Sequence, residues 1–218
     1  MKRRDFLTRT ATTAIAVAAL PACAKAQGRA EQWEIGPVIR GENYSVGMPA
    51  HPVDTAEGFH FDFPFPTARD GHVHYVTRPG APMDDARGIR LRYRIDAAPG
   101  TRFVAQEFEH LPATLALYFQ VRGDDWSGRG SRRFARWYSP IRRLARLEPG
   151  EFDLTIMFDD NWKAVTGPGA LREPRRFRES LAQVETVGFV FGSRRGLGHG
   201  VFATGPARFT VLEYEVLR

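Results

Sequence analysis

An alternation at a period of two recurs along most of this chain and constrains its fold more than any other feature. In residues 115–121 the apolar positions on one side of the alternation are Leu115, Leu117, Phe119 and Val121. This period is typical of a β-strand that buries one face. The same period recurs in residues 59–66, 89–96, 152–158, 186–191 and 208–217. The pattern therefore predicts a core built from the inward faces of strands.

Only one segment has the period of a helix. Residues 174–184 place Phe177, Leu181 and Val184 on one apolar stripe, at spacings of four and three. About nine short strands separated by turn residues, with this single short helix, predict an all-β chain folded as an antiparallel β-sandwich or jelly roll. A parallel α/β fold is disfavoured because helices do not alternate with strands.

The first 22 residues have the layout of an export signal, with basic residues first and an apolar stretch at 11–20. They resemble the twin-arginine signal, whose paired arginines and Phe-Leu dipeptide are matched by Arg3, Arg4, Phe6 and Leu7. This resemblance implies export to the periplasm or to the membrane at the cell envelope; the alternative is a basic amphipathic helix. The expected domains are a signal peptide at 1–22, a linker with the first strand at 23–50 and a sandwich at 51–218.

The end of this leader allows two kinds of processing. Residues 20–23 resemble the lipobox of bacterial lipoproteins, in which the cysteine is acylated and attaches the protein to the membrane. Cys23 is the only cysteine in the chain, which fits that role, whereas Pro21 is uncommon at its position. Residues 24–26 offer instead a signal-peptidase site that would release a free protein. In either case the mature chain forms no internal disulfide bond, so buried apolar surface must supply its stability.

The net charge is smaller once the leader is set apart. The whole chain carries a formal charge of +6, but residues 1–22 hold four basic residues and one acidic residue, which leaves +3 for the mature chain. No concentrated basic element or nucleic-acid-binding motif accompanies this surplus, so nucleic acid is not expected as a partner. A mild preference for anionic ligands, such as acidic polysaccharide, remains.

Candidate ligand-binding residues lie on the other face of the strand predicted at 115–121 and in the turn that follows it. A sugar ring has apolar C–H faces that stack on an indole, and its hydroxyls need amide, carboxylate and guanidinium partners. The residues with this chemistry are Tyr118, Gln120, Arg122, Asp124, Asp125, Trp126, Trp137, Trp162 and His199. A tryptophan in a sandwich can equally belong to the core, and the face can equally be bathed in solvent.

Metal ligation is suggested only weakly, by His72 and His74, which lie two apart on a predicted strand. Neutral imidazoles in this arrangement can bind one transition-metal ion. No familiar zinc spacing is present, and a hydrogen-bonded or solvated strand face explains the two histidines more simply. We therefore predict no metal site here.

The glycine-rich loop at 192–200 lacks both the phosphate-loop and the dinucleotide-binding patterns. Its glycines are expected to permit positive φ in a long connection between strands. Arg195 and His199 are expected to approach a ligand there. No catalytic group stands out, since neither a nucleophile elbow nor a glycosidase pair is present. A lyase-type site made from Tyr118, Arg122 and His199 is conceivable, but no pattern indicates it.

The order of features in the second half of the chain resembles the galactose-binding-domain-like jelly rolls, a superfamily that holds many carbohydrate-binding modules. The features are residues 115–126, 148–152, 160–162, 187–192 and 199–205, followed by a closing strand. The resemblance covers residues 85–218 and rests on this order, because these folds share no invariant motif. It implies a sandwich that binds glycans and, in some members, a structural calcium ion. It transfers no site residue.

Export and an aromatic, polar strand face lead to one hypothesis: an envelope protein, anchored by a lipid at Cys23, whose sandwich binds carbohydrate or a related polar ligand. Two alternatives stay open. One is an enzyme, either a lyase or a hydrolase, that acts on polysaccharide; it is less favoured because no catalytic residues are recognised. The other is an envelope scaffold whose only partners are proteins.

Overall fold

The computed structural model describes residues 30–218, which form sixteen β-strands, one α-helix and three short 3-10 helices. The signal peptide predicted at 1–22 and the lipidation predicted at Cys23 lie outside the described residues. Within residues 30–218, no helix has the length and apolar character needed to cross a membrane.

Eleven of the sixteen strands have two to five residues, and the other five have eight to eleven. In order they are β1 (Glu34–Gly36), β2 (Val38–Ile39), β3 (Glu42–Asn43), β4 (Val53–Asp54), β5 (Phe59–Asp62), β6 (Tyr75–Pro79), β7 (Gly88–Ala97), β8 (Phe103–Ala105), β9 (Thr114–Val121), β10 (Arg136–Tyr138), β11 (Ala145–Arg146), β12 (Gly150–Met157), β13 (Lys163–Ala164), β14 (Val184–Gly192), β15 (Val201–Ala203) and β16 (Ala207–Leu217). The helix α1 spans Pro174–Leu181, and the 3-10 helices span Ala30–Gln32, Gly130–Phe134 and Ile141–Arg143.

Two antiparallel sheets form the body of the fold. The larger contains seven strands in the order β1-β6-β14-β9-β10-β13, with β11 paired to β9. The smaller contains five, in the order β12-β7-β16-β5-β4. Two further antiparallel pairs, β2 with β3 and β8 with β15, lie outside these sheets. The predicted all-β class and antiparallel sandwich are therefore confirmed.

Phenylalanine rings from both sheets meet at the centre of the core. Phe209 of β16 stacks on Phe61 of β5, with 5.3 Å between ring centroids, and on Phe189 of β14 at 5.4 Å. Phe191 of β14 meets Phe209 edge-on, also at 5.4 Å. All four rings are buried. They occupy apolar positions of alternating segments, which confirms that this alternation marks the inward faces.

A second aromatic group closes the sandwich beneath α1. The ring of Phe177 on α1 lies 4.9 Å from Trp137 and 5.9 Å from Phe119. Trp162 lies 5.5 Å from Phe119. Pro174 occupies the start of the helix, where its missing N–H has no helical partner to lose. The apolar stripe of α1 thus covers the core, while its arginines stay exposed.

Charged side chains pair across strands on the outer face of the five-stranded sheet. The pairs are Arg90–Asp153, Arg92–Glu151, Arg94–Glu57 and Arg208–Asp62. The arginines of residues 89–96 therefore lie on a partly solvated face, and each has a carboxylate close by. Exposed pairs of this kind contribute little to stability, about 0–1 kcal/mol each.

The boundaries of two elements differ from the prediction. The helix expected over 174–184 ends at Leu181, and Val184 is the first residue of β14, opposite Val121 of β9. Val184 stays buried, which is why the helical spacing continues past the end of the helix. The alternation of residues 59–66 also ends early, since β5 stops at Asp62 and Phe65 is 47% exposed. The prolines beside Phe65 cannot donate to a strand partner.

The segment before β6 does not alternate as a single strand. Val73 lies in the core and bridges to Val201, whereas Tyr75 begins β6 and packs on the outer side of the sheet. Val73 and Tyr75, two residues apart, therefore do not lie on one face of the sheet.

Residues 30–50 are part of the same sandwich. β1 pairs with β6 at the edge of the seven-stranded sheet. Trp33 and Ile35 are both buried, and the Trp33 ring lies 5.0 Å from Phe59 of the opposite sheet. The sandwich therefore begins before residue 51.

Candidate ligand-binding site

A pocket of about 770 Å³ lies on the outer face of the seven-stranded sheet, over β6, β10 and β13. We call it the outer pocket. Its walls come from three parts of the chain: the β2–β3 hairpin with Tyr44, the turn at 125–127 and the loop at 194–199. Arg40 and Gly41 form the tip of the hairpin with φ of 54° and 84°. Two successive positive φ values are typical of tight two-residue hairpin turns, and this turn places Arg40 at the pocket.

The floor of the outer pocket is a group of tyrosines. The hydroxyls of Tyr75 on β6 and Tyr138 on β10 are 2.9 Å apart, and both side chains are buried. Tyr118 of β9 lies beneath them, with its ring 5.0 Å from Tyr75 and 5.3 Å from Tyr138. Burial raises the pKa of each of the three hydroxyls above its ordinary value. At neutral pH these hydroxyls are therefore protonated and able to donate.

A buried ion pair holds the turn that carries Trp126. Nε of Arg136 lies 2.9 Å from Oδ2 of Asp124 without forming a directed hydrogen bond, and the Asp124 side chain is fully buried. The same carboxylate accepts hydrogen bonds from Nε2 of Gln120 at 3.0 Å and from the backbone N–H of Trp126 at 3.1 Å. Gln120 in turn accepts from the Tyr118 hydroxyl at 2.9 Å. This network ties the turn to β9 and β10.

Trp126 is the aromatic wall of the outer pocket. Its backbone has a φ of 64°, a left-handed conformation that is uncommon for a bulky residue. The Arg136 guanidinium lies over its ring, with Cζ 4.6 Å from the centroid, and donates to its carbonyl oxygen at 2.9 Å. Tyr75 meets the ring edge-on at 5.5 Å. Trp126 is thus half-buried and fixed in orientation before any ligand binds.

Basic side chains outnumber acidic ones around the outer pocket. Besides Arg136, its lining includes Arg40, Lys163, Arg194 and Arg195, against the carboxylates of Glu42 and Asp125. Burial lowers the pKa of Lys163, whose Nζ donates to the carbonyl oxygen of Gly167 at 2.8 Å. Asp125 accepts hydrogen bonds from Ser127, and these bonds lower the pKa of the carboxyl group.

The loop at 192–200 approaches the floor closely. Gly198 has a φ of 75°, and a Cβ there would lie 2.4 Å from the Tyr75 hydroxyl. Gly198 and Gly200 thus confirm the positive φ expected in this loop. The carbonyl oxygen of Gly198 accepts from Nδ1 of His74 at 2.7 Å. His199, the next residue, pairs through Nδ1 with Glu107.

The two histidines proposed as weak metal ligands lie close together, with ring centroids 4.8 Å apart. Each uses Nδ1 against a backbone carbonyl oxygen, His72 with Ala68 and His74 with Gly198. In residues 30–218 no group of three or more His, Cys, Asp or Glu side chains is arranged to hold a metal ion. The expectations about metal and about calcium stay predictions.

Acidification is expected to destabilise the fold through His74. Burial is the main reason that the pKa of His74 falls from 6.5 to about 4. Between about pH 6.5 and pH 4 the unfolded chain binds this proton and the folded chain does not, so stability falls as the pH falls through that window. The free energy of unfolding, measured at pH 7 and pH 4.5, should decline less in His74→Gln than in the unchanged protein. An equal decline in both proteins would contradict this role.

The predicted ligand-binding residues separate into distinct places. Asp125, Trp126 and His199 line the outer pocket, together with Arg195. Tyr118, Gln120 and Asp124 lie below its surface and support it. Arg122 points elsewhere, pairing with Glu185 at 3.8 Å and lining a separate groove.

Trp137 and Trp162 are fully buried in the core. Both pack against Phe177 rather than against the outer pocket. A buried indole offers no face to a sugar ring, so the candidate site does not include them. Trp126 is the one of the three tryptophans proposed as ligand contacts that a ligand in the pocket can reach.

Several pocket residues were not identified from the sequence. They are Arg40, Tyr44, Tyr75, Arg136, Tyr138, Lys163 and Arg194. Arg136 and Tyr138 flank the buried Trp137 at a period of two, but a strand of three residues is too short for this pattern to mark them as outward. Lys163 could not be found this way, because its place depends on the pairing of β13 with β10.

The comparisons with known proteins give only distant structural matches. No protein-family model matches the chain, and no curated protein matches it by sequence. Among solved structures, the chain is similar to a xylan-binding module CBM15, at 15% identity over 85% of this chain and 94% of that one, with a TM-score of 0.40. It is also similar to a mutant of Xylanase10C from Cellvibrio japonicus in complex with xylopentaose, at 15% identity and a TM-score of 0.40. That match covers 84% of this chain and 28% of the xylanase chain. Neither similarity assigns a role to a residue here.

Proposed function

We propose that this protein binds carbohydrate in the outer pocket. The observation that carries the proposal is Trp126, a half-buried indole held in a fixed orientation in the wall of a pocket that also presents charged side chains and tyrosine hydroxyls. Sugars combine apolar C–H faces with a dense set of hydroxyls, so their sites need an aromatic surface beside hydrogen-bonding groups. The volume of about 770 Å³ lies in the range usual for small-ligand sites.

A second aromatic side chain stands at the rim of the same pocket. Tyr44 is 41% exposed and follows the β2–β3 hairpin. Together, Tyr44 and Trp126 offer a sugar two aromatic surfaces that come from distant parts of the chain. The hydroxyls of Tyr75 and Tyr138 and the carboxylate of Asp125 supply donors and acceptors between them.

The site is organised before the ligand arrives. Asp124 fixes the backbone at Trp126, and Arg136 holds both the ring and the carbonyl oxygen of that residue. A side chain that is already ordered loses little conformational entropy on binding, so more of the contact energy appears as affinity. This supports a binding role for Trp126.

The place of action is proposed from the leader alone. The export signal at 1–22 and the lipidation at Cys23 would bring the sandwich to the cell envelope, where polysaccharides are accessible. Mass spectrometry of the mature protein from its native host would distinguish an acylated Cys23 from cleavage at residues 24–26.

The proposed function is tested by measuring glycan binding with Tyr44→Ala. A glycan array that includes neutral xylo-oligosaccharides and uronic-acid oligosaccharides should show binding by the unchanged protein. Because Tyr44 is exposed, its replacement should leave the fold intact and raise the Kd about three- to tenfold, the usual contribution of one aromatic contact.

Phe65→Ala is the matched control, since Phe65 is exposed to a similar extent and lies outside the outer pocket. It should leave the Kd unchanged. A silent array, or equal Kd values for all three proteins, would contradict the proposed function. A silent array together with a defined protein complex in a pull-down would favour the scaffold instead.

Cleavage of the bound polymer is a second candidate function. One arrangement favours it: His199 pairs through Nδ1 with Glu107, which leaves Nε2 available as a base, beside a pocket floored by protonated tyrosines. Incubating the same glycans with the protein and assaying for new reducing or unsaturated ends separates an enzyme from a binding protein. New ends that disappear in His199→Gln would establish cleavage.

A further inference from the structure

We propose that the sugar bound in the outer pocket is acidic, and that cationic side chains at its rim recognise the anionic group. This inference rests on the proposed carbohydrate binding and concerns the class of glycan. The basic side chains concerned are Arg40, Lys163, Arg194 and Arg195.

These four side chains differ from the arginines on the outer face of the five-stranded sheet. On the opposite sheet, Arg90, Arg92, Arg94 and Arg208 each pair with a carboxylate. In the described part of the chain, none of the four at the pocket forms an ion pair. Unpaired cations that converge on one pocket create a positive potential that attracts anionic ligands.

The acidic residues of the pocket do not cancel this charge. Asp124 is buried below the surface and is already matched by Arg136. Asp125 uses its carboxylate to accept from Ser127. With Glu42 counted as a full negative charge, four cations still face two carboxylates on the lining. His74 adds no charge at neutral pH, because its pKa is about 4.

The donors also suit an anionic group. Lys163 uses one of its three N–H donors on the carbonyl oxygen of Gly167, which leaves two for a ligand. Its partial burial makes an attraction to an anion stronger than it would be in open solvent. Arg194 and Arg40 are exposed, and a guanidinium can donate to two oxygens of one carboxylate or sulfate.

The test compares acidic and neutral forms of one sugar. Calorimetry is run with an oligogalacturonate, with the same oligosaccharide after its carboxyl groups are reduced to alcohols, and with a sulfated oligosaccharide of similar length. The unchanged protein should bind at least one acidic form about tenfold or more tightly than the reduced form. The preference should shrink as salt is added. Comparing the affinities for the oligogalacturonate and for the sulfated oligosaccharide shows whether carboxylate or sulfate is the preferred group.

Variants then locate the preference. Lys163→Gln and Arg194→Gln together should remove most of it, and Arg194→Lys alone should keep part of it. Arg90→Gln and Arg208→Gln together are the matched control, because they also remove two positive charges, from the opposite face of the sandwich.

The outcomes distinguish the two levels of the proposal. Equal affinity for the acidic and the reduced oligosaccharide would overturn this inference and leave carbohydrate binding standing. A preference that Arg90→Gln with Arg208→Gln reduces as much as the double pocket variant would also overturn it, since net charge and not the pocket would then be responsible. Failure of every glycan to bind would overturn carbohydrate binding itself.

Discussion

Replacing Phe209 with alanine is expected to lower the free energy of unfolding by about 3–5 kcal/mol. Phe209 is fully buried where the two sheets meet. Its ring lies 4.9 Å from Tyr93 and 5.3 Å from Phe61 in its own sheet, and 5.4 Å from both Phe189 and Phe191 in the other. These surroundings cannot collapse easily into the space left by the ring, so the cavity adds to the lost burial. Denaturant unfolding followed by circular dichroism measures the change.

Phe65→Ala is the comparison for this variant. Phe65 belongs to the same run of alternating phenylalanines as Phe61, yet it is 47% exposed. Its replacement should therefore change the free energy of unfolding by about 0.5 kcal/mol or less. Losses of similar size for Phe209→Ala and Phe65→Ala would mean that the core is not where the two sheets meet.

Asp124→Ala is expected to destabilise the protein by about 3–5 kcal/mol as well, although it changes one small polar side chain. Removing the carboxylate leaves the Arg136 guanidinium, whose side chain is 9% exposed, without its buried counter-charge. It also leaves Gln120 and the backbone N–H of Trp126 without their acceptor. Buried polar groups without partners are costly, and a buried charge is more so. Denaturant unfolding measures the loss.

Asp153→Ala provides the control for this ion pair. Asp153 also pairs with an arginine, Arg90, but that pair lies on the outer face of the five-stranded sheet and the Asp153 side chain is 47% exposed. Its loss should cost about 0.2–1 kcal/mol. If Asp124→Ala cost no more than Asp153→Ala, the buried pair would not be what holds the turn at Trp126.

The inward faces of the strands could be predicted from the sequence because they follow a local rule. A period of two sets which side of a strand each residue faces, wherever the strand is regular. Leu115, Leu117 and Phe119 were assigned to the core on this basis and lie there. The rule failed where the strand was not regular, as at Val73 and Tyr75, which lie on opposite sides of the sheet.

The outer face of β9 could not be predicted in the same way. Tyr118 alternates with core residues, so alternation predicts that it faces outward. It does face outward, but it is buried in a cluster with Tyr75 and Tyr138, against which Trp126 packs. Whether an outward face meets solvent or other side chains depends on loops from distant parts of the sequence. Here the β2–β3 hairpin and the loop at 194–199 convert that face into a pocket.

The tryptophans show the same limit. Trp126 follows a turn residue and Trp137 lies in a strand of only three residues, too short for its face to be assigned from alternation. Trp137 lies toward Phe119 because β10 pairs with β9 in one particular register, whereas Trp126 is held at the pocket by Asp124 and Arg136. Registers of this kind are set by contacts across the whole sheet.

Tryptophan fluorescence during a glycan titration tests carbohydrate binding in the outer pocket most directly. Trp33, Trp137 and Trp162 are at most 2% exposed, so Trp126 is the tryptophan that a ligand in the pocket contacts. Adding oligogalacturonate or xylo-oligosaccharide should produce a saturable change in emission in the unchanged protein. In Trp126→Phe, which keeps an aromatic ring, calorimetry should still detect binding while the emission change disappears. A saturable emission change that persists in Trp126→Phe would contradict binding at this pocket.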